Sequence, residues 1–218
     1  MEKLWISLLA FGLGFCPVKV LADEFLYRVT VGQDTVTSQI TISTLQDGWR
    51  VLTQTGSEYT EALIGPDGLT REWTLRNAET REHVTAVLKQ NAIQVTSEID
   101  GKSVKHSLDL EGKPWYQFVG LSAKNLISSN QDSRSFRIVN PADLGIVKLK
   151  LIKKEISDRN LAGRQRQVLH MELRSDNLLL QSLWKADYWF DADSGLYLRY
   201  EGINGGPGTP KTTVELIF

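Results

Sequence analysis

The sequence predicts a mainly β protein: a long antiparallel meander curled into an incomplete barrel, with one helix inserted midway. Three observations carry that expectation. From Phe25 onward the apolar residues recur with a period of two, the pattern of strands that bury one face and wet the other. Turn-forming pairs, Asp47-Gly48, Asp67-Gly68 and Asp100-Gly101 among them, fall between those runs, and Asp-Gly readily supplies the φ > 0 that a tight hairpin needs. A single stretch, Pro114 to Ser129, switches to a helical period.

Taken in order, the alternating sets are Phe25, Tyr27, Val29 and Val31, then Val36, Ile40 and Ile42, then Trp49 and Val51. Leu69, Trp73 and Leu75 follow, then Val84, Ala86 and Leu88, then Ile93, Val95 and Ile99. Strands joined by turns this short pair with their neighbours in antiparallel fashion, so the first half predicts an up-and-down sheet of about eight strands. In Pro114 to Ser129, Trp115, Phe118, Val119 and Leu126 share one helical face, and Pro114 suits a first helical turn. Strands resume at Phe136–Val139, Ile146–Ile156, Arg164–Arg174, Leu178–Phe190, Leu196–Glu201 and Thr212–Ile217, the last reached through the glycine- and proline-rich run Gly202 to Pro210. A sheet of more than about ten strands twists, and so curls or splits.

The amino terminus predicts export. Met1-Glu2-Lys3 is a short charged start, Leu4 to Phe15 is apolar, and Val20-Leu21-Ala22 places compact residues before a cut ahead of Asp23. This is the pattern of a secretory signal peptide, residues 1–22, followed by one domain, residues 23–218. Retention as a membrane anchor is a rival reading, but the apolar run spans roughly 18 Å as a helix against a hydrocarbon core of roughly 30 Å. Lipid attachment at Cys16 is another, opposed by the bulky Phe15 directly before it. Cleavage would discard Cys16, the only cysteine, so no disulfide, thiolate or cysteine ligand is expected in the mature domain.

Charge excludes little except a nucleic-acid partner. The chain carries 25 basic and 26 acidic residues, without the basic excess of a nucleic-acid binder. The local clusters Lys148, Lys150, Lys153, Lys154 and Arg159, Arg164, Arg166 read as a solvated sheet face.

Candidate chemistry is thin. Ser182 to Lys185 fits S-x-x-K, Ser175-Asp176-Asn177 spells a second penicillin-binding motif, and Lys211-Thr212-Thr213 approaches a third. Their order is wrong, because the S-x-x-K element should come first and open a helix. His83, His106 and His170 show no metal-ligand spacing, and neither metal nor cofactor is expected. Asp191 to Gly195 (DADSG) opens like a calcium loop but has Gly202 where that loop needs glutamate, so a hairpin turn explains it better. What remains is aromatic content: Trp49, Trp73, Trp115, Trp184 and Trp189, with Tyr188 and Phe190 flanking the last. Most of these fill a core. In a curled sheet too wide to be filled by its own side chains, part of the concave face becomes a cavity, and Trp73, Trp115, Phe118 and Trp189 are the residues expected to line it.

The run Asp187 to Gly202 (DYWFDADSGLYLRYEG), a strand ending in aromatic-Asp, a turn and Gly-Leu-x-Leu-Arg, resembles the late hairpin of the outer-membrane lipoprotein carrier superfamily. It also resembles the exported bacterial domains grouped near that superfamily. Gly65 to Trp73 (GPDGLTREW) repeats the same logic. The resemblance implies an incomplete barrel capped by helices whose hollow holds acyl chains, although one helix is counted here where the carriers use more. It implies an exported, periplasmic, non-enzymatic protein that binds or carries a hydrophobic, lipid-like ligand. The alternative is an envelope structural or assembly protein that receives a protein partner through its sheet, favoured if Thr212–Ile217 is an exposed edge. A hydrolase is a third, supported if Ser122 or Ser182 lies within about 3 Å of a histidine.

Overall fold

The computed structural model describes residues 22–99, 101–161, 163–177, 185–203 and 209–217. Eight strands precede the helical segment: β1 (Ala22–Val31), β2 (Asp34–Leu45), β3 (Gly48–Thr55), β4 (Glu58–Ile64), β5 (Thr70–Asn77), β6 (Glu82–Lys89), β7 (Ala92–Ile99) and β8 (Lys102–Asp109). Six follow it: β9 (Ser133–Val139), β10 (Ile146–Leu161), β11 (Arg164–Ser175), β12 (Lys185–Asp191), β13 (Tyr197–Ile203) and β14 (Lys211–Leu216). They form one antiparallel sheet in the order β8-β7-β6-β5-β4-β3-β2-β1-β14-β13-β12-β11-β10-β9, curled but not closed into a barrel. Residues 1–21 lie outside the described residues, as do Ser182, Trp184, Gly205, Gly206 and Gly208.

The period-two pattern becomes continuous apolar rows across the sheet. Ile42, Val51, Ala62, Trp73, Ala86 and Val95 stand opposite one another on six successive strands. Cross-strand pairs of this kind are the unit of sheet stabilisation. At Asp47-Gly48 the turn requires its glycine: Gly48 has φ 134°, and a Cβ there would lie 2.0 Å from the Ile64 carbonyl oxygen. Bulges at Leu63/Ile64, Lys153/Ile156 and Trp189/Phe190 add local bend and twist to the sheet.

One condition is not met and one expectation is corrected. The strand at Thr212–Ile217 is no edge: β14 lies between β1 and β13 and joins the two halves of the sheet, with Tyr27 opposite Leu216 and Tyr200 opposite Val214. The edges are β8 and β9, the strands that flank the helical segment. The helix is also shorter than Pro114 to Ser129. It comprises two single turns, α1 (Val119–Ser122) and α2 (Lys124–Ile127). Ahead of them the chain runs extended along the free edge of β9. Arg137 N donates to Pro114 O at 2.8 Å, and Tyr116 N donates to Arg137 O at 3.0 Å. A helix would compete for those backbone groups, and the edge strand needs them.

This extended strap, residues 114–117, holds the curl. Besides β9 it reaches β5: Thr70 N donates to Trp115 O at 2.9 Å, and Gln117 N donates to Thr70 Oγ1 at 2.9 Å. Successive strap residues enter different cores. Trp115 joins a cluster built mainly from β1–β7, whereas Tyr116 joins one built from β9–β13 and the helical turns. Arg137 reinforces the join with a side chain 4% exposed, paired to Glu111 at 3.0 Å and Asp176 at 3.2 Å.

Candidate functional site

The second cluster leaves a cavity of about 280 Å³ between the helical turns and the sheet. Phe118, Val119 and Gly120 form its helical wall, Ile138, Leu149 and Leu173 line it from β9, β10 and β11, and Tyr188, Tyr197 and Tyr200 line it from β12 and β13. Its size falls near the lower end of ordinary small-molecule sites, roughly 300–1,000 Å³.

The sequence builds this space locally. On β12, Ala186, Tyr188 and Phe190 alternate on one face, and on β13 Tyr200 is followed two residues later by Gly202. Ala186 stands opposite Gly202, and Tyr188 opposite Tyr200. The two small residues let the strands pack closely at one level, and aromatic rings at the next frame the cavity. The Tyr188 ring lies 5.0 Å from Tyr200, 5.8 Å from Tyr197 and 6.0 Å from Phe190. Lys153 fixes the helical wall from below, its ammonium donating to Ile127 O at 3.1 Å and Ser129 O at 2.6 Å. Cations at a helix C-terminus satisfy carbonyls that the helix leaves unpaired.

Burial controls the ionisation of the tyrosines. It pushes the Tyr200 hydroxyl up to about 12 and raises those of Tyr188 and Tyr197 as well, because a phenolate would lose its hydration. Gln117, at the cavity margin, is largely committed to structure. Its Oε1 accepts from Trp115 Nε1 and Val139 N, both at 2.9 Å, and its Nε2 donates to Val139 O at 2.9 Å.

Of the four residues expected to line a cavity, Phe118 alone lines this one. Trp73 and Trp115 are core residues of the other cluster, 6% and 1% exposed. Trp189 follows Tyr188 and so faces the opposite side of β12. There it stacks on His170, centroids 5.2 Å apart, with the guanidinium groups of Arg159 and Arg199 5.9 and 5.7 Å from its ring centroid. Sequence reasoning passed over the three tyrosines. The signal was present as an alternation of small and aromatic residues, Ala186-x-Tyr188 and Tyr200-x-Gly202.

The other sequence motifs have structural duties. Asp191 Oδ1 accepts from Ser194 N at 2.9 Å and Ser194 Oγ at 2.8 Å, closing a turn with Gly195 at φ 70°. Asp176 binds Ser135 and Arg137. Lys148 pairs with Glu111, Lys154 with Glu172, and Arg166 with Asp191. Asp187 Oδ1 accepts from His170 Nε2 at 2.7 Å. Ser122 Oγ is buried with no hydrogen-bond partner among the described residues, and Ser182 lies outside them.

No protein-family model matches the chain. No curated protein matches it. Among solved structures, the chain is similar to the hypothetical lipoprotein YmcC from Escherichia coli, at 12% identity and a TM-score of 0.37, covering 88% of this chain and 83% of that one. It is also similar to a β-barrel-like protein of the domain of unknown function DUF1849 from Brucella abortus, at 10% identity and a TM-score of 0.51, covering 90% of this chain and 95% of that one. At that identity the likeness to the Brucella protein is one of fold: a β-barrel-like architecture over nearly the whole of both chains.

Proposed function

We propose that this is an exported, periplasmic, non-enzymatic protein that holds a hydrophobic, lipid-like ligand between its helical turns and its sheet. One observation carries the reading: an apolar cavity of about 280 Å³ framed by clustered tyrosines where the curled sheet meets the strap and helix. Binding an apolar chain needs no special chemistry, since each buried CH₂ contributes about 0.8 kcal/mol before the ordering costs of association. Among the described residues the lining offers no carboxylate, imidazole or amine to act as a general base. The signal-peptide pattern of residues 1–22 supports export. The hairpin Asp187 to Gly202, where the likeness to the lipoprotein carriers was drawn, supplies two of the framing tyrosines and a third, Tyr188.

Native mass spectrometry of protein purified from the periplasm without detergent tests this. The expected result is an added mass of several hundred daltons that extracts as lipid and is lost in Val119→Trp, which fills the cavity from its helical wall. A clean apo mass, unchanged after incubation with membrane lipids, would sink the proposal.

One observation favours a second reading, an envelope protein partner that adds a strand. β8 is a free edge whose side chains are nearly all exposed, the arrangement that strand addition uses. Photocrosslinking from Ser103, with Arg50 on an interior strand as control, distinguishes the two: a partner captured from β8 alone supports strand addition.

A further inference from the structure

The cavity's chemistry also bears on the charge of its occupant, an inference that rests on the ligand-binding reading above. Among the described residues no carboxylate, ammonium, guanidinium or imidazole lines it; the titratable groups of that lining are the hydroxyls of Tyr188, Tyr197 and Tyr200. Because burial raises all three, they remain neutral hydrogen-bond donors throughout the physiological range. Tyr200 Oη donates to Ile203 O at 3.4 Å. The Tyr188 and Tyr197 hydroxyls have no hydrogen-bond partner among the described residues, and their rings stand 5.8 Å apart.

Two kinds of occupant fit this lining poorly. An ionised group would lose its hydration and meet no opposite charge, a large cost in an apolar site. A pure hydrocarbon would cover donors without pairing them, which also costs. We propose that the site selects an apolar chain bearing an uncharged hydrogen-bond acceptor, an ester or ketone carbonyl, and discriminates against ionised carboxylates and amines. Tyr188 and Tyr197 are the donors to that carbonyl, while Phe118, Leu149 and Leu173 receive the chain.

Isothermal titration of the full chain with methyl decanoate, decanoic acid and decylamine at about pH 8, where the acid and the amine are ionised, tests this directly. The ester should bind at least about tenfold tighter than either ion, reflecting the cost of burying an unpaired charge. Decanoic acid should gain affinity as pH falls toward its own pKa. The double variant Tyr188→Phe, Tyr197→Phe should keep its thermal midpoint and lose about fivefold to tenfold in ester affinity, the worth of about one neutral hydrogen bond. Equal binding of ester and ions, or an unchanged ester affinity in the double variant, would overturn this inference and leave hydrophobic binding standing. Failure of all three probes to bind would overturn both.

Discussion

At the scale of single residues, Gly202 shows how closely β12 and β13 pack beside the cavity-lining Tyr200. A Cβ at this position would lie 2.5 Å from Ala186 Cβ and 2.8 Å from Tyr200 Oη. The contact is with side chains, but Ala186 is fully buried and has nowhere to go. Gly202→Ala should therefore cost about 1–3 kcal/mol by overpacking and lower the thermal midpoint by about 3–9 °C in a chain of this size. An unchanged melting curve would show that β12 and β13 can separate at this level. Charge sets a second residue-scale expectation. Hydrogen bonds from Lys148, then Arg137, hold the Glu111 carboxyl below its ordinary value of 4.5, and Lys211, then Arg199, do the same for Glu201. Carboxyls depressed in the folded state contribute stability that is fully present above their ordinary value and lost as pH falls through the depressed one. The thermal midpoint should thus fall on acidification from about pH 6 to about pH 3, and Glu111→Gln, Glu201→Gln should flatten that fall. The same slope in the double variant would assign the acid sensitivity to other carboxyls.

At the scale of elements, the strap decides how the sheet ends. Gln117 satisfies Val139 N–H, Val139 C=O and the Trp115 indole with one side chain, standing in for the next strand of the sheet. Gln117→Leu would leave buried backbone and indole groups unpaired, at about 1–3 kcal/mol. In urea the midpoint should fall while the slope stays constant; a changed slope would mean that the strap leaves the sheet altogether. The same logic explains why this segment is helical for only two turns. Its apolar residues recur at helical spacing, but the unpaired edge of β9 needs hydrogen-bond partners, and tertiary demand overrides local periodicity. β8 is the other edge of the sheet, and it is left free. Its sequence KSVKHSLD keeps two lysines and nearly every side chain in solvent, which blurs the alternation by which a strand is recognised.

At the scale of the whole molecule, the first and last strands meet in the middle of the sheet. β14 pairs with both β1 and β13, so each half of the meander depends on six carboxy-terminal residues for its connection to the other. Removal of residues 211–218 should abolish the single cooperative unfolding transition, followed by circular dichroism during heating. A truncated chain that still melts sharply at the original temperature would show the halves to be independent. The placement also sets where a ligand could sit. The would-be seam of the barrel lies between β8 and β9, the intervening segment crosses it, and the cavity opens beneath that crossing.

The sequence by itself determined the fold class. Period-two alternation and Asp-Gly turns specify antiparallel neighbours through local geometry alone, and eight strands before the helix and six after it follow from that. It also placed the tyrosine-bearing hairpin Asp187 to Gly202 at the centre of interest. Tertiary structure alone decided which aromatics line a cavity and which fill a core. Trp115 and Trp189 are as apolar as Phe118, but exposure to a cavity depends on strand register, on bulges that displace residues by one position, and on partners distant in sequence. The same holds for β14: a terminal strand looks like an edge until closure onto β1, across the length of the chain, pairs both of its sides.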